Sequence, residues 1–432
     1  MKHNSYKIRF AAAFLLGVGL LVSASVESAQ TSSEESAPVN QVLEWNQIFI
    51  DTLIATNTAN SSSQRLGAIV HTAIFDAYNG IERRYTPVFI QNSARRGASR
   101  RAAVIAAGYT VLVGLFPARQ PLLEVSYEAS LAALSDDGED GGKSRERGIA
   151  WGTEVAQAVL AWRAADGFNV SYPAFTGGTA VGQWRPIPPA VAMSAQPLAF
   201  TSMFVLTSNT QFRPGPPRGL TSTTYTDDFN AVKTLGRKTG STRTEDQTAL
   251  AMFWEGNASV HWNQAANQMA LANHLSISHS NRLLAVLNIA MADTAFTTWS
   301  GKRFYGADTN AVTWRPATSI PMADDDNPDM APDPDWLPLI TTPSHPEYPA
   351  GHPSLNGAAA TVLLSHFEDA QTFTLTTALQ PNRTYISIAQ ARSDGNNGRV
   401  WGGMHYPSTV AISDAVGVAI ANYVDENSMQ RR

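Results

Sequence analysis

Apolar residues recur at helical spacing through the first third of the chain. Between positions 64 and 80, Leu66, Ile69, Val70, Ala73, Ile74, Ala77 and Tyr78 form a single stripe along an amphipathic helix. Ser61 to Ser63 offer N-caps for it, and Asn79-Gly80 a stop. Comparable stripes predict helices at 41–58, 99–114, 119–134 and 145–165. Strand-like alternation is scarce. From 166 to 221 Gly, Pro, Ser and Thr take over, with prolines at 173, 186, 188, 189, 197, 214, 216 and 217. A structureless loop of that length is unusual in a compact domain, so the stretch reads as an extended connection wrapped over a helical layer and pinned by its Trp and Phe residues.

Helical patterns resume at 224–236, 244–254, 259–278 and 281–300, and a second proline-rich stretch covers 316–353. Further helices are predicted at 354–367, 384–396 and 408–424. The pattern predicts an all-α protein of helical bundles with two long irregular crossovers. It divides into an N-terminal helical region, 41–221, and a C-terminal helical domain, 222–432, which holds the candidate chemistry.

The first residues have a different purpose. Lys2, Lys7 and Arg9 precede a mainly apolar run from Phe10 to Ala24, too short for a comfortable membrane span. Residues 1–24 read as a signal peptide, with cleavage after Ala24 or as late as Ala29, and 25–40 as a disordered leader. No other segment has 18 consecutive apolar residues. The expectation is a secreted or periplasmic protein with no stable membrane span once the signal is removed.

The 432 residues are 44% hydrophobic and 16% charged, enough to bury a large core. A net charge of −5 gives no support to a nucleic-acid partner. With no Cys, thiolate metal sites, disulfides and Cys nucleophiles are excluded, and nothing in the chain is open to thiol oxidation. Of 31 basic residues only six are Lys, and Lys302 is the only one in the last 194 positions. Asp324-Asp-Asp-Asn-Pro-Asp329 lacks the spacing of a calcium loop and reads as a solvated acidic turn.

Three segments concentrate groups able to do chemistry. They are Trp299-Ser-Gly-Lys302 with Trp314-Arg315-Pro316, His345-Pro-Glu-Tyr-Pro-Ala-Gly-His352, and Arg399-Val-Trp-Gly-Gly-Met-His405. Arg supplies planar bidentate donation and Lys a point charge, a combination suited to a tetrahedral oxyanion. Gly351 lets its backbone N–H approach closely, and a helix starting nearby adds a favourable dipole. Of two histidines beside such an anion, one can bond its central atom while the other moves a proton.

This set resembles the superfamily of vanadium-dependent haloperoxidases, type 2 phosphatidic acid phosphatases and bacterial acid phosphatases. The match lies in Lys302 with Arg315-Pro316, in Pro349 to His352, and in Arg399 to His405. The segments 66–79, 182–186, 253–263 and 345–352 are similar to the secreted bacterial haloperoxidase branch, over roughly residues 40–425. The resemblance implies a haloperoxidase-like all-α fold and a vanadate cofactor, with hydrogen peroxide and halide as substrates. Lys302, Arg315, Gly351 and Arg399 would hold the anion oxygens. His405 would be the axial metal ligand and His352 the acid–base residue, with Trp299 and His345 on the halide side.

The chain departs from the family pattern in three places. Lys302 and Arg315 are 13 apart where seven is usual, so an insertion near 306–310 must bulge out. Ala350 replaces a Ser, and Thr409 an Asp. The same pocket would serve an acid phosphatase, with His405 as nucleophile toward a small phosphomonoester and no cofactor. It would also suit an inactive homologue retained as a binding protein.

Overall fold

The computed structural model describes residues 39–134, 142–323, 327–378 and 380–432. The signal and leader expectations for 1–38, and the first part of the acidic turn, lie outside the described residues. Asn40–Arg432 form one compact unit.

The helical pattern translates directly into structure. Helices α1 (Gln41–Ala55), α2 (Asn60–Glu82), α3 (Arg100–Leu115), α4 (Gln120–Ala132) and α5 (Lys143–Ala164) precede the first irregular stretch. After it come α6 (Thr223–Leu235), α7 (Glu245–Phe253), α8 (Ala258–Ala272), α9 (Ile277–Ala307) and the short α10 (Pro316–Met322). The chain ends with α11 (Gly351–His366), α12 (Ile388–Trp401) and α13 (Pro407–Asn427). A small antiparallel ribbon pairs β1 (Phe373–Leu375) with β2 (Arg383–Tyr385), so α12 starts four residues later than its pattern suggested.

Caps set several of these boundaries. Asn40 accepts the backbone N–H groups of Val42 and Leu43, and Thr244 and Gln247 close a reciprocal capping box at α7. At α2 the expected signals are wrong. The N-cap is Ala59 rather than one of the serines, and the helix runs through Asn79-Gly80 to Glu82, ending at a left-handed Arg83. Gly80 serves close packing instead of termination, since a Cβ there would lie 2.6 Å from the Trp151 ring. Asn79 turns its amide to the following loop, bonding both N–H and C=O of Tyr85.

Helix α9 is the axis of the fold. It spans 31 residues, about 46 Å at 1.5 Å per residue, and packs on α2, α8, α11 and α13. From Leu283 to Lys302 every residue is buried, the pattern of a helix with neighbours on all sides. Several of its polar residues make specific bonds. Asn288 exchanges two hydrogen bonds with Asn263 of α8. Asp293, fully buried, accepts the backbone N–H groups of Phe204, Val205 and Leu206 at 2.8–3.0 Å. Asp76 of α2 does the same for Val88, Phe89 and Ile90. A carboxylate taking three N–H bonds fixes irregular backbone as firmly as a ladder would.

The 166–221 stretch is thus held to the core as its composition predicted. Arg163 and Arg65 share the Asp166 carboxylate, and Arg163 also donates to the carbonyls of Ser202 and Met203. Phe175 stacks on Trp184, and Phe204 on Phe296. Replacing Asp293 with Ala should strand three buried N–H groups and lower stability by at least about 3 kcal/mol. Urea denaturation measures this, and a loss below about 1 kcal/mol would contradict the pinning role.

Candidate active site

Four chain segments converge at one end of α9. The helix does not stop near 300 but continues through Ala307, which places Trp299 and Lys302 one turn apart within it. The insertion between Lys302 and Arg315 is absorbed there. Its first half is the last helical turn, and Asp308 closes the rest by accepting the Asn310 N–H. The chain then returns in extended form, with Thr313 and Trp314 bonded to Gly182 and Thr313 to Glu347, and delivers Arg315 as the N-cap residue of α10. Helix α11 begins at Gly351, three residues earlier than expected, with no side-chain cap on its first turn. Arg399 sits in the last turn of α12, and a tight turn leads to His405 and α13. Gly403 makes that turn with φ +74°, where a Cβ would lie 2.7 Å from the Gly236 carbonyl oxygen.

These segments enclose a cavity of about 250 Å³ lined by Trp299, His345, Gly351, His352, Arg399 and His405, with Asn60, Ser194 and Glu255 among its other walls. Six of the eight residues singled out in the sequence therefore meet on one surface. Lys302 and Arg315 are not among its lining residues. Both are buried, and protein acceptors engage them. Lys302 Nζ donates to the carbonyls of Pro346 and Glu347 at 2.6 and 3.1 Å. Arg315 donates from Nε to the His345 carbonyl and from Nη1 to the Met404 carbonyl, at 3.0 and 2.8 Å.

Arg315 also clamps two imidazoles. Its Nη1 is 3.1 Å from His405 Nε2, and its Nη2 2.8 Å from His345 Nδ1. Guanidinium can only donate, so both ring nitrogens must accept and both rings must be neutral. The proton of His405 is then on Nδ1, where Glu347 Oε1 accepts it at 2.9 Å. Glu347 is buried as well, and takes further donation from the Tyr406 N–H and the Thr409 hydroxyl. Thr409, the residue in place of an Asp, thus bonds the carboxylate instead of supplying one.

Electrostatics agree with this arrangement. Burial, then Arg315 and Lys302, hold His405 well below the usual imidazole range, and burial, Lys302 and Arg315 do the same for His345. Burial pushes Arg315 down to about 9 and Arg399 to about 10. It pushes Glu347 up to about 7, with Arg315 and Lys302 pulling the other way.

His352 is placed to exchange a proton. The Asn60 amide is oriented by the Ala258 N–H donating to its Oδ1 at 3.0 Å, which turns its Nδ2 toward His352 Nε2 at 3.3 Å. The Gly256 carbonyl lies 3.3 Å from the same ring nitrogen. A lone pair at Nε2 is met by Asn60 and a proton by Gly256, so both states have a partner. Burial and Arg399 keep the ring well below its usual range.

One donor in the cavity wall is left open. Arg399 Nη1 makes one long bond, 3.3 Å, to the Trp254 carbonyl, and its buried Nε has no partner among the described residues. An unpaired guanidinium N–H beside a cavity is costly unless a ligand takes it. At Gly351 a Cβ would reach no closer than 3.5 Å to Trp299, so its value lies in the approach of a ligand and not in internal packing. Ala350 is fully buried, and its N–H is taken by Ser413 at 2.7 Å.

Sequence reasoning missed Glu347, Asn60 and Ser413. Glu347 lay in view between two singled-out histidines, but a lone acidic residue there signals no partner. Asn60 and Ser413 are brought in from α2 and α13 by packing alone.

Comparison with known proteins agrees with this architecture. Residues 282–431 match the family model described as the VCPO second helical-bundle domain. A crystal structure described as the first bacterial vanadium-dependent iodoperoxidase superposes with a TM-score of 0.77 at 21% identity, covering 92% of this chain and 99% of that one. The holo and apo forms of a bacterial vanadium-dependent chloroperoxidase give 0.64 and 0.65 at 18% and 17% identity, each over 85% of this chain and over 91% and 94% of theirs. No curated protein matches by sequence. The chain has the fold of the vanadium-dependent haloperoxidases, and its last third matches the second helical bundle of that fold.

Proposed function

We propose that the protein is a vanadate-dependent haloperoxidase, oxidising halide with hydrogen peroxide. The observation that carries the proposal is that Arg399, whose buried Nε has no partner among the described residues, and His405 line the same cavity in a chain with this fold. Vanadate, when bound, supplies a Lewis-acidic centre that activates peroxide without needing a redox side chain.

The chain's own residues do the rest. His405 offers its Nε2 lone pair to the metal, because Glu347 keeps the ring proton on Nδ1. Nε2 has one lone pair, so a bound vanadate would compete for it with Arg315 Nη1, whose N–H would then be available to an anion oxygen. Arg399 Nε and the first backbone N–H groups of α11 complete the donors, and Lys302 adds positive charge from behind the loop at 346–347. Trp299 and His345, with ring centroids 5.3 Å apart, form the wall at which halide would bind. His352 supplies the proton required when halide, peroxide and H⁺ become hypohalous acid and water.

The His405–Glu347 pair equally suits a histidine nucleophile, so phosphomonoester hydrolysis is the competing reading. One experiment separates the two. Protein freed of bound anion and reconstituted with orthovanadate should oxidise bromide or iodide with peroxide, and His405→Ala should abolish this while circular dichroism stays helical. Because burial and Arg399 hold His352 well below the usual imidazole range, the halide-oxidation rate should stay low near neutrality and rise only as pH falls well below that range. Phosphatase activity alone would overturn the haloperoxidase reading. Activity in neither assay would identify a binding protein that has kept the fold.

A further inference from the structure

We propose that Glu347 is the positioning residue of His405: its side-chain oxygen holds the ring proton on Nδ1, opposite the Arg315 N–H at Nε2, and so keeps Nε2 as the nitrogen with the lone pair. This rests on the reading of His405 as the residue that bonds the bound anion.

The geometry is two-sided. Arg315 Nη1 reaches His405 Nε2 at 3.1 Å and can only donate, which leaves the proton of the neutral ring on Nδ1, and Glu347 Oε1 stands 2.9 Å from Nδ1 to accept it. Only one neutral form of the ring satisfies both neighbours. A proton on Nε2 would meet a guanidinium N–H head-on and leave a bare nitrogen against a carboxylate oxygen.

Glu347 is itself held in place. The Tyr406 N–H donates to Oε1 at 3.2 Å, and the Thr409 hydroxyl to Oε2 at 3.0 Å, from the chain on either side of the start of α13. Its backbone is fixed too, since its N–H donates to Thr313 and its carbonyl accepts from Lys302. The Tyr406 and Thr409 bonds therefore fix the side chain relative to the turn that carries His405, and the backbone bonds fix its own loop. Such outer partners orient a ligating imidazole and raise its basicity, and their loss typically costs 10- to 100-fold in affinity.

Two variants distinguish positioning from mere filling of space. Glu347→Gln keeps an oxygen for Nδ1–H to bond, and its amide can donate to Thr409, whereas Glu347→Leu removes the acceptor. The readouts are the orthovanadate dissociation constant, from quenching of Trp fluorescence, and the ¹⁵N shifts of the His405 ring in ¹⁵N-histidine protein, assigned with His405→Gln. The wild type should show a neutral ring protonated on Nδ1. Glu347→Gln should keep that tautomer and bind orthovanadate within a few-fold of wild type. Glu347→Leu should lose the single tautomer and bind about 10-fold more weakly or worse. A Leu variant with unchanged tautomer and affinity would overturn the proposal.

If the Leu variant does not fold, the wild-type spectrum still decides, because a ring protonated on Nε2 contradicts the geometry outright. Failure of the wild type to bind orthovanadate would defeat the functional reading alone. The tautomer comparison would then continue to test Glu347.

Discussion

The site depends on a single buried guanidinium. Among the described residues no carboxylate bonds Arg315, yet it is nearly inaccessible to solvent and spends its donors on two carbonyls and two imidazoles. Taking such a charge out of water is expensive, and here the return is organisational. One planar group sets the protonation of His345 and His405 together and ties the loop before α11 to the turn before α13. Burial and Arg315 push Lys302 beside it well below the usual lysine range, with the buried Glu347 pulling the other way. Burial and these basic neighbours push both imidazoles toward the neutral form.

The scaffold that sustains this charge is rigid for a different reason. The fold surrounds α9 with helices on all sides, and buried carboxylates on α2 and α9 bind the irregular segments through clusters of backbone N–H groups. Long loops thereby acquire fixed positions without strands. That is why a chain with extensive Pro-rich sequence still builds a cavity from loop residues such as Ser194 and Pro343.

Much of this was legible in the residues. Stripes of apolar positions located the long helices, because burial on one face leaves a period that survives in sequence, and the three motif segments brought six of the cavity-lining residues with them. The boundaries were less so. Helix α9 is buried all round, so its end carries no amphipathic signal and Lys302 seemed to stand beyond it. Gly80 looked like a stop because a glycine needed for contact with Trp151 cannot be told by sequence from one needed for a cap. Nor could spacing show that Lys302 and Arg315 stand behind the wall while Arg399 faces the cavity, since all three are Arg or Lys in similar motifs. Pairings such as His405 with Glu347, 58 positions apart, depend on how the helices pack.

The central claim is that this cavity takes an oxyanion on His405, with Arg315 exchanging a nitrogen for an oxygen as its acceptor. A crystal structure of the protein soaked with orthovanadate tests it most directly. The account predicts vanadium bonded to His405 Nε2, an anion oxygen within hydrogen-bond distance of Arg399 Nε, and Arg315 Nη1 turned from the ring to the anion. Vanadate bound elsewhere, or bound in the cavity while Arg315 still donates to His405 Nε2, would contradict it.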